Sequence, residues 1–82
     1  MSKNLEGESL TIRFKNKTEL EITTGYDEKK DKVYTEDETF EPSETHEVDI
    51  VSDHGETVDM QFGCGDMAYA VPKTLFDVVE VL

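Results

Sequence analysis

Apolar and polar residues alternate over most of this chain, with the period of a half-buried strand rather than of a helix. In SLTIRFKNKTELEITT, Leu10, Ile12 and Phe14 alternate with Thr11, Arg13 and Lys15, and Leu20 and Ile22 alternate with Glu19, Glu21 and Thr23. Matching the apolar faces predicts a β-hairpin with Phe14 opposite Leu20 and Ile12 opposite Ile22. The same register pairs Lys15 with Glu19 and Arg13 with Glu21 on the outer face, an agreement between hydrophobicity and charge. Residues 1–7 precede the pattern and read as a flexible tail.

After Gly25 the pattern lapses. Residues 27–45 are polar, broken only by Val33, Tyr34 and Phe40. They predict a long acidic excursion, with a short strand at Val33 and Tyr34, Pro42 opposing a regular central strand, and Phe40 pinning the segment to the body. Alternation returns at His46, Val48 and Ile50, and again at Val58, Met60 and Phe62. The matched faces place Ile50 opposite Val58, Val48 opposite Met60 and Asp49 opposite Asp59. That leaves Asp53-His54-Gly55 as a loop with Gly55 left-handed. The connection Gly63-Cys64-Gly65-Asp66 then lets Met67, Tyr69 and Val71 face Phe62, Met60 and Val58 as the next strand of a meander. The C-terminal PKTLFDVVEVL predicts one helical turn near residues 73–76 and a strand over 77–82, because its valines favour an extended chain. The sum is a mainly β domain, a small antiparallel sandwich or open barrel of five to six short strands.

Composition bounds this picture. The chain has 82 residues, 35% of them hydrophobic and 34% charged, so it is one small domain with a thin margin of stability. No apolar run approaches the length of a spanning helix, and MSKNLEGES lacks the apolar core of a secretory signal. One cysteine, Cys64, permits no internal disulfide, which makes a reducing cytoplasm the expected location.

Charge changes the picture most. The formal net charge is −12, but residues 1–32 hold seven bases and seven acids, whereas residues 33–82 hold thirteen acids and one base, Lys73. Seven of those acids lie in TEDETFEPSETHEVD, residues 35–49. Seven of the eight bases are lysines, six of them within residues 1–32, unlike the uniformly lysine-poor chains of salt-adapted proteins. So local an excess repels phosphate and anionic lipid, which disfavours direct nucleic-acid or membrane binding. It marks either a solvating region or an interaction surface.

Other chemistry has little support. Cys64 between glycines evokes a nucleophile in an anion nest, but the plainer reading is a tight loop, and no histidine is near in sequence. His46 is expected to point inward and His54 to sit at a turn. The acidic run lacks the alternating ligands and central glycine of a calcium loop, and the histidines and cysteine lack zinc spacing, so neither metal nor cofactor is expected. The favoured expectation is a non-enzymatic acidic inhibitor that mimics nucleic acid. It would block the basic groove of a nucleic-acid-binding protein: a nuclease, a restriction or CRISPR-type effector, or a repair or transcription protein. Phages and mobile elements use such blockers. Its expected partner-binding residues are Glu36, Asp37, Glu38, Glu41, Glu44, Glu47, Asp49, Asp53, Glu56 and Asp59. The alternative is a small protein-binding or assembly module that offers an apolar strand edge, with DVVEVL as that edge. The sequence leaves the oligomeric state open.

Overall fold

A computed structural model describes residues 4–82. Seven strands, all paired antiparallel, form one unclosed sheet, rather than the five to six expected. They are β1 (Ser9–Phe14), β2 (Thr18–Asp27), β3 (Lys32–Phe40), β4 (Thr45–Asp53), β5 (Thr57–Phe62), β6 (Met67–Pro72) and β7 (Phe76–Val81). A single 3-10 turn, Lys73–Leu75, precedes β7, as the C-terminal sequence predicts. The spatial order is β3-β2-β6-β5-β4-β1-β7.

The sheet is strongly curved. Five strand spacings of about 4.8 Å would put β3 and β1 about 24 Å apart in a flat sheet. Their rings Phe40 and Phe14 instead lie 4.9 Å apart. The concave side holds one core, drawn from every strand: Leu10, Ile12, Phe14, Ile22, Phe40, Val48, Ile50, Val58, Met60, Ala68, Val71 and Phe76 are buried. Phe40 anchors β3 as expected. His46 also points inward, edge-on to Phe40 at 5.1 Å and to Phe62 at 6.2 Å.

The expected first hairpin does not form. β1 pairs with β4 and β7, and β2 with β3 and, through Thr23 and Met67, with β6. Alternation states which face of a strand is buried, not which strand lies beside it. The apolar faces of β1 and β2 are satisfied within one core while both strands take other neighbours, so the Lys15–Glu19 and Arg13–Glu21 pairings vanish; Lys15 lies 3.7 Å from Asp77 on β7 instead.

The polar segment after Gly25 is mostly strand rather than irregular excursion. β3 runs alongside β2 for its whole length across a turn at residues 28–31, where Asp27 Oδ1 accepts the Lys29 and Lys30 amides. The N-terminal residues also depart from a free tail. Within the described residues, Leu5 packs on the core, Gly7 donates to the Ile50 carbonyl (2.8 Å) and the Ile50 amide donates to Glu8 (2.8 Å).

The meander exists, but bulges shift its register. The β4–β5 loop lies at residues 54–56, so that Asp53 pairs with Val58, and Val51 is an extra residue in β4; together these leave Ile50 facing Met60 rather than Val58, Val48 facing Phe62, and Asp49 facing Gln61 rather than Asp59. Between β5 and β6, Val58 meets Val71 as expected, but Asp59 spans both Tyr69 and Ala70. Parity flips there, which buries Ala68 and exposes Tyr69. Ala70 takes a left-handed φ of 53° to make this bulge, a conformation L-residues seldom adopt. Gly55 has the expected left-handed φ, 96°, although the loop proper is residues 54–56.

Candidate functional site

The acids of β3 lie on an outer strand whose residues are exposed on both faces from Lys32 to Thr39. Ladder partners fix their directions. Glu36 lies opposite Ile22 and Glu38 opposite Leu20, on the core-facing side; Asp37 lies directly opposite Glu21 on the other side. A like-charge opposition does occur in this protein, then, in β2–β3 rather than in β4–β5. Like charges so placed are destabilising. Asp37→Asn is accordingly expected to raise stability by about 0.2–1 kcal/mol in urea unfolding, whereas a loss of stability would mean that Asp37 holds a bond of its own.

Past Phe40, residues 41–44 turn the chain through a Glu44-to-Glu41 backbone bond of 3.2 Å, and Glu41 lies 3.8 Å from Lys17 on the surface. β4 then carries Glu47 and Asp49 outward, and Asp49 accepts the Ser9 hydroxyl at 2.6 Å. Where β3 passes the ends of β4 and β5, a groove of about 410 Å³ opens. Glu38, Glu47 and Asp66 line it, Phe40, His46 and Phe62 form its inner wall, and among the described residues no lysine or arginine lines it. Phe40 and Phe62 stack at 5.3 Å with 13° between their planes. His46 Nε2 is buried and, among the described residues, has no hydrogen-bond partner. Cys64, exposed on the β5–β6 turn, lines the same groove, so the fold brings together a cysteine and a histidine that are distant in sequence.

Two expected partner-binding acids are occupied internally. Asp53 has only 2% of its side chain exposed; its Oδ2 accepts the Leu5 amide (2.6 Å) and Lys73 Nζ (2.8 Å), and its Oδ1 accepts the Gly55 amide (2.8 Å). The Lys73 hydrogen bond, followed by the two amides, lowers its pKa to about 2. Asp59 accepts the amide of left-handed Ala70 at 2.8 Å and meets His54 Nε2 at 2.9 Å, which lowers its pKa; the bond to Asp59 raises that of His54. Both carboxylates hold turns and bulges in place through these internal bonds.

The raised His54 pKa has a definite sign. Its contribution is fully present below the ordinary histidine value and is lost as pH rises through the higher folded value. Melting temperature should therefore decline as pH rises from the ordinary histidine value of 6.5 through the higher folded value, and His54→Gln should flatten that decline; an unchanged slope would show that the pair is too solvated to matter.

Glu56 sits in the loop at the far end of the β4–β5 hairpin, about 17–20 Å from the groove by strand rise. The ten expected residues therefore divide: Glu36, Asp37, Glu38, Glu41, Glu44, Glu47 and Asp49 follow β3 into β4, while Asp53, Glu56 and Asp59 belong to the opposite end. Among the described residues, Glu36, Asp37, Glu38, Glu44 and Glu47 take part in no ion pair. Sequence reasoning missed Glu21 and Asp66. Glu21 had been assigned to a pairing with Arg13, and Asp66 reaches the groove only because β3 crosses that end of the sheet.

The geometry therefore leaves a groove with an acidic lining and an aromatic wall as the site to explain. Comparison with family models, with curated proteins and with solved structures gives no match. The chain's own chemistry carries the functional reading.

Proposed function

We propose that the protein is a non-enzymatic acidic decoy that occupies the basic groove of a nucleic-acid-binding protein and blocks access of DNA or RNA. The observation that carries this reading is convergence: Glu38 of β3 and Glu47 of β4, strands that are not neighbours in the sheet, line one groove with Asp66. Convergence of like charge raises the self-energy of the fold, and a cationic partner relieves it. Glu36, Asp37 and Glu44 extend the charge along the chain to either side. The partner class is a nuclease, a restriction or CRISPR-type effector, or a repair or transcription protein, in the cytoplasm of a host that carries phages or mobile elements. The test is competition. A basic nucleic-acid-binding protein captured from host lysate should release a bound duplex when this protein is added, and the triple variant Glu36→Gln, Glu38→Gln, Glu47→Gln should release it at least tenfold less effectively. Equal release by parent and variant would remove the acids from the interface.

One observation favours a second reading. β7 is the other outer strand of the sheet, and Val78, Val79, Val81 and Leu82 are 41–58% exposed. An outer strand with free backbone donors and exposed valines suits strand addition by an extended peptide. In that case binding tolerates salt, and Val79→Lys rather than the acid variants abolishes it.

A further inference from the structure

We propose that the groove between β3, β4 and the β5–β6 turn is an arginine-binding subsite, which takes one guanidinium of the basic partner together with its flanking peptide. The proposal rests on the decoy reading and adds to it a residue type and a place. Glu38, Glu47 and Asp66 come from separate elements, and among the described residues no lysine or arginine lines the space they share. An entering cation meets carboxylates that are unengaged by ion pairs among the described residues.

The wall behind them selects the kind of cation. Phe62 is partly exposed, stacked on buried Phe40 and flanked edge-on by His46. A planar, weakly hydrated guanidinium rests against such rings while its fork of N–H donors reaches carboxylates at the rim. A compact ammonium gives up more hydration on leaving water and presents no flat face. Among the described residues, His46 Nε2 is buried beside these rings without a hydrogen-bond partner. The groove's volume of about 410 Å³ falls in the range of roughly 300–1,000 Å³ typical of ligand pockets, which suits a side chain with adjoining backbone.

The probe is the capped tripeptide acetyl-Gly-Arg-Gly-amide, titrated at low salt into the full chain while the ring protons of His46, Phe40 and Phe62 are followed by NMR. The lysine tripeptide and the neutral citrulline tripeptide serve as comparisons. The arginine peptide should give saturable shifts at these rings, the lysine peptide should bind at least fivefold more weakly, and citrulline should give no saturable shift. Glu38→Gln with Glu47→Gln should weaken arginine binding at least tenfold. Glu21→Gln with Asp37→Asn, which removes the same charge from the outer face of β2–β3, should weaken it less than threefold. Equal binding of lysine and arginine, equal losses from the two double variants, or shifts spread over all acidic positions without saturation would each overturn the subsite. Failure of the subsite is separable from failure of the decoy. If the rings ignore the peptide while the protein still displaces nucleic acid, the subsite alone falls; if the rings respond but displacement is absent, the decoy falls.

Discussion

Phe40→Ala is expected to cost about 3–5 kcal/mol, the range for truncating a buried aromatic to alanine. Phe40 is 4% exposed and contacts Phe14, Phe62 and His46 with centroid separations of 4.9, 5.3 and 5.1 Å. It is the sole residue of β3 that is buried, the other positions of that strand being exposed. One side chain therefore ties an acid-rich, self-repelling strand to the core. A domain of 82 residues commonly has only about 4–12 kcal/mol of total stability, so the loss removes a large share of it. Urea unfolding should show a much lower midpoint, with amide exchange in β3 and β2 accelerated beyond that in β4 and β5. Phe40→Leu should recover most of the loss. A cost below about 1 kcal/mol for the alanine variant would mean that β3 is held by its ladder to β2 alone.

Asp53→Asn is expected to lower the melting temperature further than neutralising any groove carboxylate. The carboxylate joins three parts of the chain: the N-terminal segment at Leu5, the β4–β5 loop at Gly55 and the 3-10 turn at Lys73. An amide in its place offers one oxygen to donors that now share two, and it turns its own N–H groups toward them. With the folded pKa near 2 and the ordinary value at 3.8, the contribution of Asp53 is present above about pH 4 and fades as pH falls through 2. The stability difference between parent and Asp53→Asn should thus narrow between pH 4 and pH 2, as read from urea midpoints at each pH. A difference constant over that interval would place the effect outside the ionised carboxylate. By contrast, Glu38 and Glu47 are spent on no internal bond that the structure records, so Glu38→Gln and Glu47→Gln should leave the midpoint unchanged or raise it.

The parts of this fold legible in the sequence are those that depend on a residue and its immediate neighbours. The inward direction of His46, the anchoring by Phe40, the left-handed Gly55, the connection at residues 63–66 and the turn before β7 all follow from local pattern. What escaped is set by tertiary partnership. The apolar faces of β1 and β2 match each other well, yet the curved sheet satisfies them across one core without pairing the strands. Bulges at Val51 and at Tyr69 and Ala70 have no alternation signature, and each changes register or parity for the residues beyond it. The acidic strand β3 escaped because carboxylates are poor strand formers, and its pairing with β2 is the stronger influence.

The candidate site was legible as a charge excess and illegible as an arrangement. Asp49 and Asp59 do not confront each other: with the loop at residues 54–56, Asp59 lies opposite Ser52, where His54 and the Ala70 amide engage it. The unfavourable opposition belongs to Glu21 and Asp37, and the shared groove joins Glu38 and Glu47 to Asp66. Charge counting alone treats all these acids alike. The structure separates carboxylates that stabilise turns from those that take part in no ion pair among the described residues, and the decoy reading assigns the second group to the partner.

The measurement that bears most directly on the decoy is the salt dependence of displacement. A fluorescent duplex bound to the captured basic protein is titrated with this protein at about 50 mM and about 300 mM salt, conditions across which screening shortens the reach of surface charge by more than twofold. The duplex's own affinity is measured at each salt to correct for its weakening. The decoy reading predicts displacement at low salt, with an intrinsic affinity for the basic protein that falls at least tenfold at the higher salt. An affinity that holds constant across that range, or no displacement at either salt, would contradict it.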